Sequence, residues 1–156
     1  MGGIDLDPAS TENANQFVRA ERIITREQDG LRMVPWSGRV WLNPPYGRDR
    51  RCGAGAWASR LIADFENDFI REGILLVNAM VGAKWFSRLY DYPICMCYAR
   101  IRFLDPARNN EEVDRPTYGN AIVYVGPKRK WGRFASAFGD LGPVFGPQSL
   151  GACVEP

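Results

Sequence analysis

Short apolar runs that end in turn residues recur along the chain and predict the strands of a sheet. The three main runs lie in "GGIDLDPAS" near the start, "RVWL" in the first third and "GILLVNAM" in the middle. The third run is continuously apolar, which is typical of a strand buried on both faces of a parallel sheet. A shorter apolar piece, "RIIT", lies between the first two.

Segments with helical periodicity separate these runs. Ser10 or Thr11 can cap a helix from Glu12 to about Glu21. The segment "AKWFSRLYDY" predicts a later helix. An amphipathic helix is also predicted in "AWASRLIADFENDFIRE", whose large apolar residues recur at helical spacing: Trp57, Leu61, Ile62, Phe65 and Phe69.

The last third of the chain has a different pattern. "ICMCYARIRFLD" and "NAIVYVG" resemble strands, and the polar loop between them is too short for a helical crossover, so an antiparallel pair is predicted.

The whole pattern predicts an α/β fold with a doubly wound, mostly parallel sheet and an antiparallel terminal hairpin. No linker divides residues 1–156, which are expected to form one domain. Ligands bind such sheets at the carboxyl ends of strands, here at "DLDPAS" and "NPPYG".

Composition excludes several mechanisms. With 46% hydrophobic and 24% charged residues the chain is an ordinary globular one, and its net charge of +2 gives only weak general attraction to nucleic acid. The chain has no histidine, which excludes Ser-His-Asp and Cys-His catalysis. Its four cysteines lack CxxC spacing, so no metal site is expected. No apolar run reaches ~18 residues and no signal peptide is evident, which predicts a cytoplasmic protein without a membrane partner.

The strand "RVWL" ends in Asn43-Pro44-Pro45-Tyr46, the most specific feature of the sequence. An amide, two prolines and an aromatic ring cannot extend a sheet, and many other tetrapeptides would make a simple turn. This corner, together with "GIDLDPASTENAN", "DGL", "LLVNAMVGAKWF", "ARIRF" and "YGNAIVYVG" in matching order, resembles the phage-type DNA N6-adenine methyltransferases of the Dam family. The resemblance covers most of the chain. It implies a Rossmann-like fold, S-adenosylmethionine as cofactor and double-stranded DNA as partner.

The chemistry of adenine explains why such an enzyme needs this corner. The exocyclic amine is a poor nucleophile because its lone pair is delocalised into the ring. The Asn43 side-chain oxygen and the Pro44 carbonyl could accept hydrogen bonds from the two N–H groups of this amine and so free its lone pair. Pro44 and Pro45 stiffen the backbone that carries these acceptors. Tyr46 would stack on the extruded base. No general base is needed, which agrees with the absence of histidine.

The resemblance implies that the cofactor binds at "DLDPAS". A carboxylate at a strand end can accept hydrogen bonds from ribose hydroxyls or hold the methionyl ammonium, so Asp7 is the first candidate and Asp5 the second, with Pro8 and Ala9 in the turn. Asp29 in "DGL" lies where related enzymes often have a residue near the cofactor adenine. The usual Phe-x-Gly-x-Gly loop is absent, and the family usually has an upstream segment. We therefore expect weak cofactor binding unless an upstream extension or a partner chain covers the crevice.

Arginines near the corner are the candidates for DNA binding. Arg48, Arg50 and Arg51 follow the corner directly, where phosphate contacts are expected beside an extruded base. Arg100 and Arg102 alternate with apolar residues on a predicted strand, so they could face either DNA or solvent. Trp85 and Phe86, in the predicted helix "AKWFSRLYDY", are expected to lie in the core because of their helical spacing.

Two other classes of function remain open on the sequence. The same tetrapeptide occurs in methyltransferases that act on cytosine N4, RNA adenine or protein glutamine, because each substrate presents a planar NH2 group. Alternatively, the chain is a catalytically weak or inactive DNA-binding remnant that kept the base corner and lost cofactor affinity. Cofactor titration separates the remnant from the enzymes, and the identity of the methylated product separates the enzymes from one another.

Overall fold

A mixed seven-stranded sheet forms the body of the protein. The computed structural model describes residues 1–33, 35–45, 53–105, 111–112 and 118–147. In their order across the sheet, the strands are β2 (Arg22–Ile23), β1 (Leu6–Asp7), β3 (Gly38–Leu42), β4 (Ile70–Asn78), β8 (Asn120–Val125), β5 (Ile94–Met96) and β9 (Val144–Phe145). A separate pair consists of β6 (Leu104–Asp105) and β7 (Glu111–Glu112). The helices are α1 (Glu12–Val18), α2 (Ala54–Glu66) and α3 (Trp131–Phe138), with 3-10 helices at Phe86–Asp91 and Lys128–Lys130.

The strand directions bring several chain segments to one edge of the sheet. β1 is parallel to β2 and β3, and β3 is parallel to β4. β8 is antiparallel to β4 and β5, and β9 is antiparallel to β5. The carboxyl ends of β1, β3 and β4 therefore share an edge with the start of β8, where Asn120 pairs with Asn78. This edge is called the carboxyl edge below.

The core lies on both faces of the sheet. Alternation along β4 turns Leu75 and Val77 toward α2, and Ile74 and Leu76 toward α3. α2 buries Trp57, Ala58, Leu61 and Ile62, and α3 buries Phe134. The apolar run of residues 74–77 within β4 packs on both faces of the sheet, and each fully buried aliphatic side chain stabilises the fold by about 1.5–3 kcal/mol.

The predicted α/β class is confirmed, and so are the strands in "RVWL" and "GILLVNAM" and the helix containing Trp57. The apolar piece "RIIT" contains β2. The antiparallel neighbours β5 and β8 come from the two segments predicted to pair.

The two helical predictions outside α2 were only partly right. α1 ends at Val18, before Glu21, because Arg19 adopts a left-handed conformation with φ of 56° and the Asn15 side chain accepts the Ala20 amide at 2.8 Å. "AKWFSRLYDY" forms a 3-10 helix and not an α-helix. Phe86 and Leu89 are both buried in it, and a spacing of three suits 3-10 geometry.

Phe69 lies beyond α2 and is 60% exposed, so its predicted place on the buried helical face is wrong.

The strand predicted over "ICMCYARIRFLD" is also wrong in its length. β5 stops at Met96, and the chain re-enters a strand only at Leu104, in a different sheet. After Met96 the chain instead follows neighbouring segments, because the Cys97 amide donates to the Asn120 carbonyl and the Tyr98 amide to that of Leu141. Arg100 and Arg102 therefore lie in a loop, and the strand-face argument for their orientation does not apply.

Candidate active site

Asp7 ends β1 at the carboxyl edge and is a buried carboxylate. Only 3% of the residue is exposed, and its carboxylate accepts the Ala9 amide at 3.1 Å. Burial raises the pKa of Asp7 above its ordinary value, while the Ala9 amide and the Ser10 hydroxyl act in the opposite direction. Within the part of the chain that the structure describes, no cation pairs with Asp7. A buried acid without a cation costs stability, which makes it a candidate ligand-binding group.

Asp5 has a different environment although it lies close by in the chain. Its carboxylate accepts the Arg39 backbone amide at 2.6 Å and the Arg39 Nε at 3.1 Å. Hydrogen bonding from Arg39 lowers the pKa of Asp5 to about 2. Gly38 has φ of 75°, and a Cβ there would overlap the Asp5 carboxylate. Asp5 thus ties the start of β1 to β3, and these contacts favour Asp7 over Asp5 as the ligand-binding acid.

The Asn43-Pro44-Pro45 segment leaves the sheet directly after β3. Asn43 is partly buried, Pro44 is buried and Pro45 is exposed. Leu6 of β1 pairs with Val40, so Asp7 lies beside Trp41 and Asn43 follows farther along the same edge. With strands about 4.8 Å apart and a rise of about 3.3 Å per residue, the Cα atoms of Asp7 and Asn43 are separated by on the order of 8 Å. The two groups can contact adjacent parts of one bound assembly.

Four of the predicted site residues lie outside the described residues: Tyr46, Arg48, Arg50 and Arg51. Their roles remain predictions from the sequence.

The loop that carries Asp29 packs against the turn after β1. A Cβ on Gly30 would overlap the Pro8 carbonyl oxygen and lie 2.8 Å from the Trp57 ring, so only glycine permits this approach. Asp29 itself has φ of 55°, and its carboxylate accepts the Leu31 amide at 3.2 Å. The loop of Asp29 therefore lies against the Pro8 turn through Gly30.

Two asparagines at the carboxyl edge were not identified from the sequence. Asn78 ends β4 and Asn120 begins β8, and the two are paired in register. Asn120 is 2% exposed and accepts the Ile101 amide at 2.9 Å through its side chain. This bond fixes the loop of Arg100 and Arg102 at the same edge. A polar amide at the end of an otherwise apolar run was the available signal.

Trp85 and Phe86 belong to the core, as their spacing predicted. Phe86 is fully buried, and Trp85 packs against it edge to face with ring centroids 5.4 Å apart. A Cβ on Gly55 of α2 would lie 2.8 Å from Trp85, so this aromatic pair packs closely against α2.

Gly30→Ala is expected to destabilise the protein by about 3 kcal/mol, the upper end of the cost of overpacking. The added methyl group would meet the Pro8 backbone and the buried Trp57 ring, neither of which can rotate away. Denaturant unfolding measures the change. Gly132→Ala is the control, because its Cβ would have no neighbour within 4 Å and it lies in α3. Equal stabilities of the two variants would contradict the close packing of the Asp29 loop on the β1 turn.

The described residues include no group of three or more histidine, cysteine or acidic side chains placed to hold a metal ion. None of the described helices combines the length and apolar character needed to cross a membrane.

Comparison with protein-family models identifies the relatives of the chain. Residues 1–137 match the family described as DNA N-6-adenine-methyltransferase (Dam). The matched range includes Asp7, the Asp29 loop and Asn43, and it confirms the resemblance to the Dam family; the phage-type subgroup stays a prediction. A comparison with curated proteins found no match.

Proposed function

The chain belongs to the DNA N-6-adenine-methyltransferase (Dam) family, and from this premise we propose that it transfers a methyl group from S-adenosylmethionine to the N6 amine of an adenine extruded from double-stranded DNA. One observation carries the proposal: the buried Asp7 and the Asn43-Pro44-Pro45 corner lie at one edge of the sheet. The strand order, with α2 and α3 on opposite faces, supports a doubly wound, Rossmann-like sheet with an antiparallel terminal hairpin.

The residues at the end of β1 fit the proposed cofactor. Asp7 is a buried acceptor whose charge no neighbouring cation offsets in the described chain, so hydroxyl or ammonium donors of a ligand would complete its hydrogen bonding. Pro8 and Ala9 form the adjoining turn, and the Asp29 loop lies against Pro8. When bound, S-adenosylmethionine supplies a methyl group activated by its sulfonium. We assign the ribose or methionyl end to Asp7 and the adenine end to the Asp29 loop.

The corner acts on the target amine. The Asn43 side-chain oxygen and the Pro44 carbonyl accept hydrogen bonds from its two N–H groups. These bonds draw the nitrogen away from planarity and make its lone pair available. Pro44 is buried and Pro45 restricts the following backbone, so the acceptors are held in place before the base arrives. A base removed from its stack loses a few kcal/mol of pairing and stacking, which Tyr46 would partly restore.

DNA contacts are assigned to two arginine-containing segments. Arg48, Arg50 and Arg51 directly follow the corner in the chain. Arg100 and Arg102 are exposed in the loop that Asn120 holds at the carboxyl edge. Guanidinium groups at this edge would neutralise phosphates on either side of an extruded nucleotide, so methylation should weaken as the salt concentration rises.

Tyr46→Ala should weaken productive DNA binding by about 1–3 kcal/mol, the value of one base–aromatic stack. Tyr46→Phe should have little effect, because stacking requires the ring and not the hydroxyl. Equilibrium DNA binding and KM for DNA measure both variants. Equal losses in the two variants would contradict the stacking role and indicate a role for the hydroxyl.

The proposed activity is tested by titrating S-adenosylmethionine into the protein by calorimetry, and then by adding unmethylated DNA, RNA or protein as methyl acceptor. Saturable cofactor binding with transfer to DNA supports the proposal. DNA binding without cofactor binding would indicate a non-catalytic remnant, and transfer to RNA or protein alone would overturn the assignment of DNA as substrate.

A further inference from the structure

Trp36 and Arg60 form a stacked pair behind the Asp29 loop. Trp36 is fully buried, and the Arg60 guanidinium carbon lies 5.0 Å from the centre of its ring. The other large ring in contact is Trp57 of α2, stacked on Trp36 with centroids 6.0 Å apart and planes at 26°. The pair thus joins the segment before β3 to α2.

Both members of the pair hold the loop backbone. The Trp36 Nε1–H donates to the Gly30 carbonyl at 3.0 Å, and the Arg60 Nη1 donates to the next carbonyl, that of Leu31, at 3.2 Å. Two successive carbonyls are therefore fixed from the core side. On its other side, Gly30 touches the Pro8 carbonyl. These contacts fix the loop relative to the turn that follows Asp7.

Arg60 is placed to act through the loop and not on a ligand. Its side chain is 20% exposed, and its Nε is paired at 2.7 Å with Asp64, whose side chain is 8% exposed. The guanidinium therefore combines an ion pair, a ring contact and a carbonyl contact. A planar, multiply donating group can make all three at once, and an ammonium group cannot.

We infer that Arg60, stacked on Trp36, is a positioning residue that holds the Asp29–Leu31 backbone in place as one wall of the S-adenosylmethionine site. The inference rests on the proposed function, because it takes the cofactor to bind between the β1 turn and this loop. It assigns a role in cofactor affinity to a residue of α2 that touches neither the cofactor nor the DNA.

Arg60→Lys tests the inference in the full chain. Lysine keeps the charge beside Asp64 but loses the flat stack and the bond to Leu31, so the Kd and KM for S-adenosylmethionine should rise about tenfold. The kcat at saturating cofactor and the KM for DNA should change less than about twofold, because the corner is untouched. Trp36→Phe, which removes the donor to Gly30 and keeps a ring, should raise the cofactor Kd in the same direction.

Two control variants separate positioning from general stability. Arg88→Lys makes the same exchange in an exposed ion pair with Glu66, 3.3 Å long, and should change nothing. Phe134→Leu leaves a cavity in the core on the α3 side of the sheet, and should lower the Tm as much as Arg60→Lys or more, yet leave the cofactor Kd near that of the wild type.

The outcomes distinguish the inference from the proposed function. If the wild type binds S-adenosylmethionine and methylates DNA while Arg60→Lys keeps wild-type cofactor affinity, the inference alone is overturned. An equal rise in cofactor Kd for Phe134→Leu and Arg60→Lys would also overturn it, since lower stability would then be the cause. A wild type that binds no cofactor overturns both.

Discussion

Asn43→Ala should lower the kcat for DNA methylation by at least about a hundredfold, the usual effect of removing a group that stabilises developing charge. The alanine variant keeps the Pro44 carbonyl but leaves one N–H of the target amine without its acceptor. Cofactor affinity should stay within about twofold, because Asn43 lies beyond the end of β3, whereas the assigned cofactor residues lie at the end of β1 and in the Asp29 loop. Steady-state kinetics and calorimetry measure the two quantities.

Asn43→Asp is the matched control, because it keeps an acceptor oxygen in the same place and should retain part of the activity. Unchanged calorimetric binding of the cofactor in both variants shows that the fold is intact. Full activity of the alanine variant would exclude polarisation of the amine by Asn43.

Asp7→Asn should weaken S-adenosylmethionine binding by about 10- to 100-fold, which corresponds to the loss of a hydrogen bond to a charged group. The same substitution should maintain or raise the free energy of unfolding at neutral pH. Burial raises the pKa of Asp7, so the folded protein binds the proton more tightly than the unfolded chain does. The contribution of Asp7 to the free energy of unfolding therefore falls as the pH rises past 3.8, the ordinary pKa of this carboxyl group. A neutral amide at this position removes that loss of stability.

Asp5→Asn is the control, because its expected effect on stability at neutral pH is opposite to that of Asp7→Asn. The pKa of Asp5 is lowered from 3.8 to about 2, so its stabilising contribution is present above pH 3.8 and is lost as the pH falls toward 2. Asp5→Asn should destabilise the protein at neutral pH and leave cofactor affinity nearly unchanged. Denaturant unfolding at several pH values and calorimetry test the pair. Wild-type cofactor affinity in Asp7→Asn would exclude Asp7 from the binding site.

Elements with strong local patterns were predictable from the sequence. The continuous apolar run in "GILLVNAM" predicted a strand and the helical spacing around Trp57 predicted a helix, and β4 and α2 lie at these places. The end of α1 was not predictable from the apolar pattern, because the Asn15 side chain competes with the helix by bonding the Ala20 backbone. Two-residue strands such as β9 leave too little periodicity to detect.

The candidate site was predictable where it depends on local sequence. The corner follows from the prolines that stop β3. The choice between Asp5 and Asp7 depends on Arg39, which is 34 positions from Asp5 in the chain. The support for the Asp29 loop comes likewise from Arg60, 29 positions from Leu31. The strand predicted around Arg100 and Arg102 was wrong because alternation cannot distinguish a paired strand from a loop anchored by Asn120.

The proposed methyl transfer is tested by following a methyl group from isotopically labelled S-adenosylmethionine into unmethylated double-stranded DNA. The DNA is digested to nucleosides, and the labelled product is identified by mass spectrometry. We expect labelled N6-methyladenine with the wild-type protein and at most a trace with Asn43→Ala. Labelled N4-methylcytosine, or no labelled nucleoside at saturating cofactor, would overturn the proposed function.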